Sequence, residues 1–304
     1  MKNLAPIVLF TYNRPDHTRK TVEALQKNTL AQQSQLFIYS DAPKNQAAKE
    51  QVTEVREYLK TIKGFKQITI IERDKNWGLA NSIIDGVTQI VNEYGKIIVL
   101  EDDLVTSPYF LQFMNEALEF YQDEEQVMHI SGYMFPINNK SLNKTFFIKP
   151  ASCWSWATWD RAWKYFKKDT DFYVDKFDKK MIKDFNLNNS YRYFDQILLN
   201  KKGKLNTWAI FWYATCYLRN GLSLHPKSSF VQNIGNDGSG MHCGESNQFS
   251  IEKLAGKENI KFFTNNIKED VDARMRIEEF FKQSSSIAFR IKRKVITIYN
   301  RTLN

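Results

Sequence analysis

The sequence predicts an α/β fold with a mostly parallel central sheet flanked by helices. Short β-branched runs alternate with longer amphipathic segments, and glycines follow two of those segments. The run Ile97–Leu100 is aliphatic, as is typical of a strand that helices cover on both faces. Strands separated by helices form right-handed βαβ units, whose ligands bind at the carboxyl ends of the strands. Those strand ends are therefore the candidate sites.

The elements of the first hundred residues follow in a regular order. Pro15 suits the first turn of a helix, and Gly64 and Gly95 suit the position just after one. Strands are predicted at Ile7–Tyr12, Leu36–Ser40, Ile68–Glu72, Ile97–Leu100 and, farther along, Val127–Ser131. Helices are predicted at Asp16–Lys27, Gln46–Ile62 and Leu79–Glu93, with another beginning near Pro108. The polar stretch Lys164–Asn206 is typical of surface helices.

Length and composition indicate a globular chain. Its 304 residues are 42% hydrophobic and 25% charged, which excludes disordered and fibrous classes. Three cysteines without a CxxC motif argue against a disulfide framework or a structural zinc site and favour a reducing compartment. The apolar run Ala5–Phe10 is too short for a signal peptide, and no apolar stretch approaches the roughly 20 residues of a membrane span. We therefore expect a cytoplasmic chain.

The excess positive charge is concentrated at the C-terminus. The net charge is +9, and the last 21 residues, from Ser284, contain five basic residues and no acidic one. These basic residues are Arg290, Lys292, Arg293, Lys294 and Arg301, and apolar residues alternate with them. Such a helix suits the surface of an anionic membrane, or it packs on its own domain with its charges in water. RNA binding is less favoured, because no nucleic-acid module accompanies the tail.

Three consecutive acids, Glu101-Asp102-Asp103, follow the aliphatic run directly. Because like charges repel, a hard divalent cation such as Mg²⁺ or Mn²⁺ is a natural partner for them at a strand end. Alternation along an extended backbone would send Asp102 to the opposite side from the other two. The alternative is that the acids favour the N-terminus of the helix beginning near Pro108. Their place after a buried strand favours the metal.

Tryptophan is concentrated in one segment, since four of the seven lie between residues 154 and 163. Such crowding indicates either a packed interface or a platform for sugar rings. We expect most of these rings to lie in the core, with Trp156 and Trp208 in a cleft that binds a sugar.

Four short motifs stand at the four strand ends in order. They are Thr11-Tyr12-Asn13-Arg14, Ser40-Asp41, Asn76-Trp77-Gly78-Leu79-Ala80-Asn81 and Glu101-Asp102-Asp103. In this order they resemble the nucleotide-sugar domain of GT-A glycosyltransferases, in particular bacterial family 2-like enzymes of surface-polysaccharide synthesis and the N-acetylglucosaminyltransferase I family. The resemblance covers about residues 5–245.

That resemblance implies a GT-A, Rossmann-like fold with an acceptor-side region and a basic C-terminal helix. It divides the chain into a nucleotide-sugar-binding half at residues 1–135, an acceptor-binding and catalytic half of the same domain at residues 136–245, and a helical basic tail at residues 246–304.

The resemblance also implies roles for residues at the strand ends. Thr11, Tyr12, Arg14 and Asn76 would line the nucleotide pocket, and Asp41 would accept a hydrogen bond from the uracil ring. In the acidic triplet, Asp103 would ligate Mn²⁺ or Mg²⁺ on the donor diphosphate. Asp102 would contact the ribose or the donor sugar, and Glu101 would anchor the loop or bind sugar hydroxyls. His242, in a glycine-bearing loop, would reach the metal or the diphosphate, unless it is simply solvated.

Inverting transfer needs a general base, and here the sequence departs from the family pattern. The resemblance leads us to look for Asp in a Trp-Asp-x-x-Trp segment, but this chain has Ala209 between Trp208 and Ile210. Asp195 and Asp160 are the two replacements, and Asp195 is preferred because its segment leads toward the acceptor region.

The resemblance, together with these observations, implies a metal-dependent, inverting glycosyltransferase. It would move a sugar from a UDP-sugar to a glycan acceptor, carried by a polyprenyl diphosphate, at the inner face of the cell membrane, with the basic tail near that surface and no nucleic-acid partner. A nucleotidyltransferase is disfavoured because no Gly-rich phosphate loop follows the first strand. A nucleic-acid-binding protein is disfavoured because charges outside the tail are mixed. A third hypothesis is a non-catalytic transferase fold that only binds partners, and the Ala209 departure is the sole argument for it.

Overall fold

The computed structural model describes residues 3–238, 248–257 and 263–285. Ten strands lie within these ranges: β1 Ile7–Thr11, β2 Gln35–Ser40, β3 Gln67–Glu72, β4 Lys96–Glu101, β5 Leu104–Thr106, β6 Val127–Ser131, β7 Thr145–Ile148, β8 Trp156–Trp159, β9 Leu222–Pro226 and β10 Val231–Asn233. The α-helices of the same ranges are α1 Pro15–Gln26, α2 Lys49–Lys60, α3 Leu79–Tyr94, α4 Phe110–Phe120, α5 Asp160–Trp163, α6 Thr170–Lys176, α7 Lys179–Phe185, α8 Tyr193–Lys201, α9 Ala209–Leu218 and α10 Val271–Ser285.

Eight strands form one central sheet in the order β3-β2-β1-β4-β8-β6-β9-β7. β1 is parallel to β2 and β4, β2 is parallel to β3, and β6 is parallel to β9. β8 is antiparallel to both of its neighbours, and β7 is antiparallel to β9. Six strands of this sheet therefore point the same way, and their carboxyl ends lie along one side, called the carboxyl edge below. The predicted mostly parallel α/β sheet is confirmed.

Hydrophobic side chains cover both faces of this sheet. Leu9 and Leu100 face α1, α2 and α4, whereas Val8 and Val99 face α3, α5 and α9. The change of face between neighbouring residues is the ordinary alternation of a strand. Because every one of these side chains is buried, the polar groups that follow β1 and β4 begin abruptly at the carboxyl edge.

Two details of the predicted elements are corrected by the structure. The predicted helix Gln46–Ile62 begins as a 3₁₀ turn at Gln46–Ala48, because the Asn45 side chain accepts from the Ala48 N–H, and α2 follows it. The acidic triplet does not open a helix. Glu101 ends β4, the chain turns at Asp102 and Asp103, and β5 separates them from α4. The helix-terminus interpretation of these acids is therefore wrong.

Some predictions fall outside the described residues. The five basic residues of the tail, Arg290, Lys292, Arg293, Lys294 and Arg301, lie there, and so do His242 and the boundary near Ser246. Within the described ranges, no helix combines the length and the apolar character that crossing a membrane requires.

His129 lies fully buried in β6 with both ring nitrogens engaged. Trp212 Nε1 donates to its Nδ1 at 3.0 Å, and its Nε2 lies 3.0 Å from the Ser152 carbonyl. Because an indole N–H only donates, Nδ1 must accept, so the ring is neutral with its proton on Nε2. Burial and the neighbouring His225 lower the pKa of His129 to about 3.

This neutral histidine predicts a pH dependence of stability. Unfolded, His129 binds a proton near its ordinary pKa of about 6.5, whereas the folded chain does not. Stability is therefore lost as the pH falls below about 6.5, by about 1.4 kcal/mol per pH unit. His129→Phe removes this pH dependence. The variant is less stable than the wild type at about pH 7.5, and the difference between their free energies of unfolding should shrink by about 2 kcal/mol at about pH 5.0. Urea titrations at both pH values measure it, and a deficit independent of pH would contradict it.

Candidate active site

Arg14 and the acidic triplet meet at the carboxyl edge. Arg14 follows β1, and its Nη2 donates to Asp102 Oδ1 at 2.5 Å and to Asp103 Oδ2 at 2.9 Å. Strand alternation predicted that Asp102 and Asp103 face opposite ways. That prediction is wrong, because the turn after Glu101 breaks the extended backbone and lets both carboxylates reach one guanidinium.

The electrostatics of this cluster are dominated by its negative charge. Burial, followed by the like charges of Asp103 and Asp102, raises the pKa of Glu101 to about 8. Burial also raises the pKa of Asp102 to about 6, against the attraction of Arg14. Burial alone would lower the pKa of Arg14, but the two aspartates outweigh it and the pKa is raised. Two carboxylates, Asp102 and Asp103, share the Arg14 guanidinium, so the cluster holds more negative charge than Arg14 neutralises.

The side chains present fit a hard divalent cation. Carboxylate oxygens are the ligands that Mg²⁺ and Mn²⁺ favour, and the excess negative charge attracts them. Among the described residues, no group of three or more His, Cys, Asp or Glu side chains is arranged to hold a metal ion. A cation that shares a diphosphate needs only one or two protein carboxylates. Asp103, with Asp102 beside it, meets that smaller requirement.

The segment after β10 packs against the acidic triplet. β10 pairs with β5, and the Ile234 N–H donates to the Asp103 carbonyl at 2.9 Å. A Cβ added at Gly235 would lie 2.1 Å from Asp103 Oδ2 and 2.9 Å from Arg14 Nη1. No side chain fits in so short a gap, so the backbone at Gly235 backs the Arg14–Asp103 pair directly.

The same segment also contacts α1. Asp237 Oδ2 lies 3.1 Å from His17 Nε2 in the first turn of that helix. The segment after β10 is thus held at Ile234 by the Asp103 carbonyl and at Asp237 by His17. His242, predicted to reach the metal from this loop, lies beyond residue 238 and outside the described residues.

Asp41 holds the loop between β3 and α3. Its Oδ1 accepts from the backbone N–H groups of Ala42 at 2.9 Å and Trp77 at 2.8 Å. Its Oδ2 accepts from Asn76 Nδ2 at 3.1 Å and from the Gly78 N–H at 2.8 Å. A carboxylate offers about four acceptor positions. All four are used within the chain, so the contact with uracil implied for Asp41 is not available in this arrangement, and Asp41 instead positions Asn76 and its neighbours.

This arrangement predicts a strong effect of Asp41→Asn on stability. The amide nitrogen would face N–H donors whichever way the side chain turns, and two donors would lose their acceptor. Charge-assisted hydrogen bonds and buried unpaired donors together suggest a loss of about 2–4 kcal/mol in the free energy of unfolding. Urea titration measures it. Asp74→Asn, an exposed aspartate in the same loop, is the control and should change stability by less than about 0.5 kcal/mol; equal effects of the two substitutions would refute this role.

Thr11 and Tyr12 lie beside the cluster in different ways. Thr11 is buried, and its hydroxyl donates to the Tyr39 carbonyl at 3.4 Å. Tyr12 is half-buried. Its backbone N–H donates to Asp102 Oδ2 at 3.3 Å, and its hydroxyl accepts from the Lys44 N–H at 3.1 Å. Tyr12 therefore links the acidic triplet to the segment after β2, where a nucleotide pocket is expected.

Of the two candidate bases, Asp160 lies at the wrong end of the sheet. Its N–H donates to the Gly95 carbonyl at 3.0 Å, just before β4 begins. Five strand steps to Glu101 correspond to roughly 16 Å, so the proposed catalytic role of Asp160 is wrong. Asp195 lies in the first turn of α8, where its half-exposed carboxylate pairs with Arg192 at 3.0 Å. Its role as a base stays a prediction.

The predicted acceptor platform is corrected by the burial of its two rings. Trp156 is 1% exposed and Trp208 3% exposed, and they stack on each other with centroids 5.2 Å apart. Both belong to the core between the sheet and α3 and α9, so neither can face an acceptor. Trp154 is instead only partly buried.

Comparison with known proteins adds the family. Residues 7–146, which contain Arg14, Asp41 and the acidic triplet, match the model of the family described as glycosyl transferase family 2. This segment is similar to family 2 glycosyltransferases. The match confirms the predicted resemblance and the predicted enzyme class, and it disfavours the nucleotidyltransferase and nucleic-acid-binding alternatives.

Solved structures similar to this chain share little sequence with it. A mannosyltransferase from Pyrobaculum calidifontis, in complex with GDP-Man and Mn²⁺, is 9% identical with a TM-score of 0.42 over 71% of this chain and 70% of that one. Residues 1–349 of S. aureus TarS are 11% identical with a TM-score of 0.43 over 75% and 60%.

Another S. aureus TarS structure is 15% identical with a TM-score of 0.31 over 42% of this chain and 21% of that chain, so the match spans about a fifth of its length. No curated protein matches the chain.

Proposed function

We propose that this chain transfers a sugar from a UDP-sugar to a glycan acceptor, with a divalent cation held at Asp103 on the donor diphosphate. One observation carries the proposal: Arg14, Asp102 and Asp103 converge at the carboxyl edge, within the segment similar to family 2 glycosyltransferases. An excess of carboxylate over guanidinium there suits a cation that arrives with a diphosphate. The same proposal includes the glycan acceptor, inversion of the anomeric configuration and dependence on the metal.

The residues of the cluster have distinct tasks in this proposal. Asp103 holds the cation, and when bound the cation acts as a Lewis acid that stabilises the charge on the departing UDP. Arg14, the cationic side chain next to it, lies where it can pair with a diphosphate oxygen in place of a carboxylate. Asp102 keeps Tyr12 and Arg14 in position. The Gly235 backbone limits how far Asp103 can turn away.

The remaining parts of the proposal concern the acceptor. Asp195 takes the proton from the acceptor hydroxyl as that hydroxyl attacks the anomeric carbon. The attack inverts the configuration at this carbon. The acceptor is a glycan carried by a polyprenyl diphosphate, and the basic tail keeps the chain near the anionic membrane that holds it. Asp195→Asn should then abolish transfer to the acceptor while leaving UDP affinity unchanged.

A nucleotide panel tests the donor class without knowledge of the acceptor. Melting temperatures are measured with UDP, GDP, CMP and ATP, each in Mn²⁺ and in EDTA, because a ligand of the native state stabilises it by mass action. The proposal predicts selective stabilisation by UDP in Mn²⁺ that disappears in EDTA and in Asp103→Asn. Stabilisation by GDP instead of UDP would contradict the proposal that the donor is a UDP-sugar. Equal stabilisation in EDTA would contradict the proposed dependence on the metal.

A further inference from the structure

A cavity of about 700 Å³ lies on the side of α9 that faces away from the sheet. From α9, Trp208 and Trp212 face the sheet, whereas Phe211 belongs to the hydrophobic cluster that α9 forms with α6, α7 and α8. The cavity opens above Phe211, and it shares no residue with the Arg14–Asp103 pair. Its volume is within the range of small-molecule sites, roughly 300–1,000 Å³. The polar side chains that line it are Lys167, Lys168, Asp169, Thr170, Asn200 and Asn206.

One wall of the cavity is the loop that joins α8 to α9, and the chain's own contacts fix its shape. Asn200 Nδ2 donates to the Thr207 hydroxyl at 3.0 Å, and Asn200 Oδ1 accepts from the Thr207 N–H at 3.0 Å. Gly203 ends α8 with φ 65°, a left-handed conformation that suits glycine after a helix. Lys201 of this wall pairs with Asp171 of α6 at 2.7 Å, so the two walls are joined. The cavity is therefore formed before a ligand binds.

The charge of the cavity is positive and only partly compensated. Lys167 pairs with Asp169 at 3.1 Å, and Asp169 also accepts from the Phe172 N–H at 3.0 Å, so this carboxylate is engaged. Lys168 Nζ donates to Asn206 Oδ1, but no carboxylate of the described residues pairs with it. Partial burial of the Lys168 ammonium group lowers its pKa, as expected for a cation without a counter-charge. An ammonium group has three N–H bonds, so two of those of Lys168 are left for a ligand.

The rest of the lining suits a ring that has hydroxyl groups and an apolar face. Leu205 is half-buried and supplies an apolar surface. The Thr170 hydroxyl and the Asn206 amide nitrogen have no partner within the part of the chain that the structure describes. Lys202 and Lys204 are exposed on the same loop, and neither forms an ion pair with a described residue. The cavity thus combines an apolar surface, partners for hydroxyl groups and an excess of positive charge.

We propose that this cavity binds an anionic saccharide unit, a sugar ring that carries a carboxylate or a phosphate group. Lys168 binds the anionic group, because hydrogen bonds between charged partners are the strong ones. Thr170 and Asn206 bind ring hydroxyls, and Leu205 lies against the apolar face of the ring. The choice of a saccharide rests on the proposed function, since a unit of the glycan bound here gives the chain a second contact with that glycan, apart from the donor site.

The test titrates glucuronate, glucose 6-phosphate, glucose and inorganic phosphate into the full chain, in EDTA and at low ionic strength, where screening is weak. The backbone amide NMR signals of Gly203 and Asn206 report binding at the loop wall. Both anionic sugars should shift these signals saturably, whereas glucose and inorganic phosphate should bind at least about tenfold more weakly. Lys168→Met should weaken both anionic sugars by about tenfold or more. The matched control is Lys180→Met, which removes an exposed lysine of α7 outside the cavity and should leave the affinity unchanged.

The proposed site is wrong if neither anionic sugar shifts the signals, or if a folded Lys168→Met variant binds them as the wild type does. Equal affinity for glucose would show that the cavity does not recognise charge, and equal affinity for inorganic phosphate that it does not recognise the sugar ring. Stabilisation by UDP with Mn²⁺ is measured on the same preparation. If it is present while the anionic sugars do not bind, the cavity proposal alone fails. If it is absent while binding that depends on Lys168 persists, the proposed donor fails and the saccharide site stands.

Discussion

Asp103→Asn is expected to reduce release of UDP from its sugar donor by about 10²–10³-fold at saturating Mn²⁺. Removing one preorganised electrostatic contact to the charge that develops in the transition state has effects of this size. The substitution keeps the shape of the side chain but removes the negative charge that, in our proposal, binds the cation. UDP release from UDP-GlcNAc and UDP-Gal, with water as acceptor, measures it.

The control for this substitution is Asp74→Asn, which neutralises an exposed aspartate in the loop before α3 and should leave the rate unchanged. Unfolding of the Asp103 variant is excluded by its melting temperature. A variant that remains folded and releases UDP at the wild-type rate would show that Asp103 does not hold the cation.

Gly235→Ala is expected to weaken the binding of UDP with Mn²⁺ by about tenfold or more. The added Cβ would lie 2.1 Å from Asp103 Oδ2, so either the carboxylate or the loop must move. A misplacement of about 1 Å in a catalytic site costs on the order of 10²-fold in rate. Calorimetric titration of UDP into the variant in Mn²⁺ measures the affinity.

Asn236→Ala is the matched control for Gly235→Ala. It changes the next residue of the same loop and removes atoms where the glycine variant adds one. Its affinity for UDP should stay near that of the wild type. Should both variants bind UDP equally well, the backbone at Gly235 has no part in positioning the triplet.

The parallel half of the fold could be predicted from the sequence because its signals are local. Alternation of short apolar runs with amphipathic segments predicted β1 to β4, and each predicted strand agrees with the structure within one residue at either end. The carboxyl ends of parallel strands meet at one edge whatever the loops do. Motifs separated by many residues, such as those at Arg14 and Asp103, could therefore be predicted to lie together.

The geometry inside the site could not be predicted, because it depends on single turns and on distant partners. The turn after Glu101 brings Asp102 and Asp103 to one guanidinium, whereas strand periodicity separates them. The four donors that occupy Asp41 include backbone groups from a different loop. No sequence pattern indicates which hydrogen-bond acceptor is already filled.

The tryptophan segment and Asp160 show a second limit. The direction of β8 is not encoded locally, yet it places Asp160 at the far end of β4 from the acidic triplet. The left-handed backbone at Ser155 then separates Trp154 from Trp156. Composition predicted an aromatic platform at Trp156 and Trp208, but their burial in the core depends on long-range packing that composition does not show.

The measurement that tests the central claim most directly is a calorimetric titration of UDP into the wild-type chain, once with Mn²⁺ and once with EDTA. The account predicts saturable binding in Mn²⁺ and a loss of affinity of at least about tenfold, or about 1.4 kcal/mol, in EDTA. Equal affinity in both solutions would contradict the claim that the acidic triplet binds the donor diphosphate through a cation. Arg14 would then be the group that neutralises it.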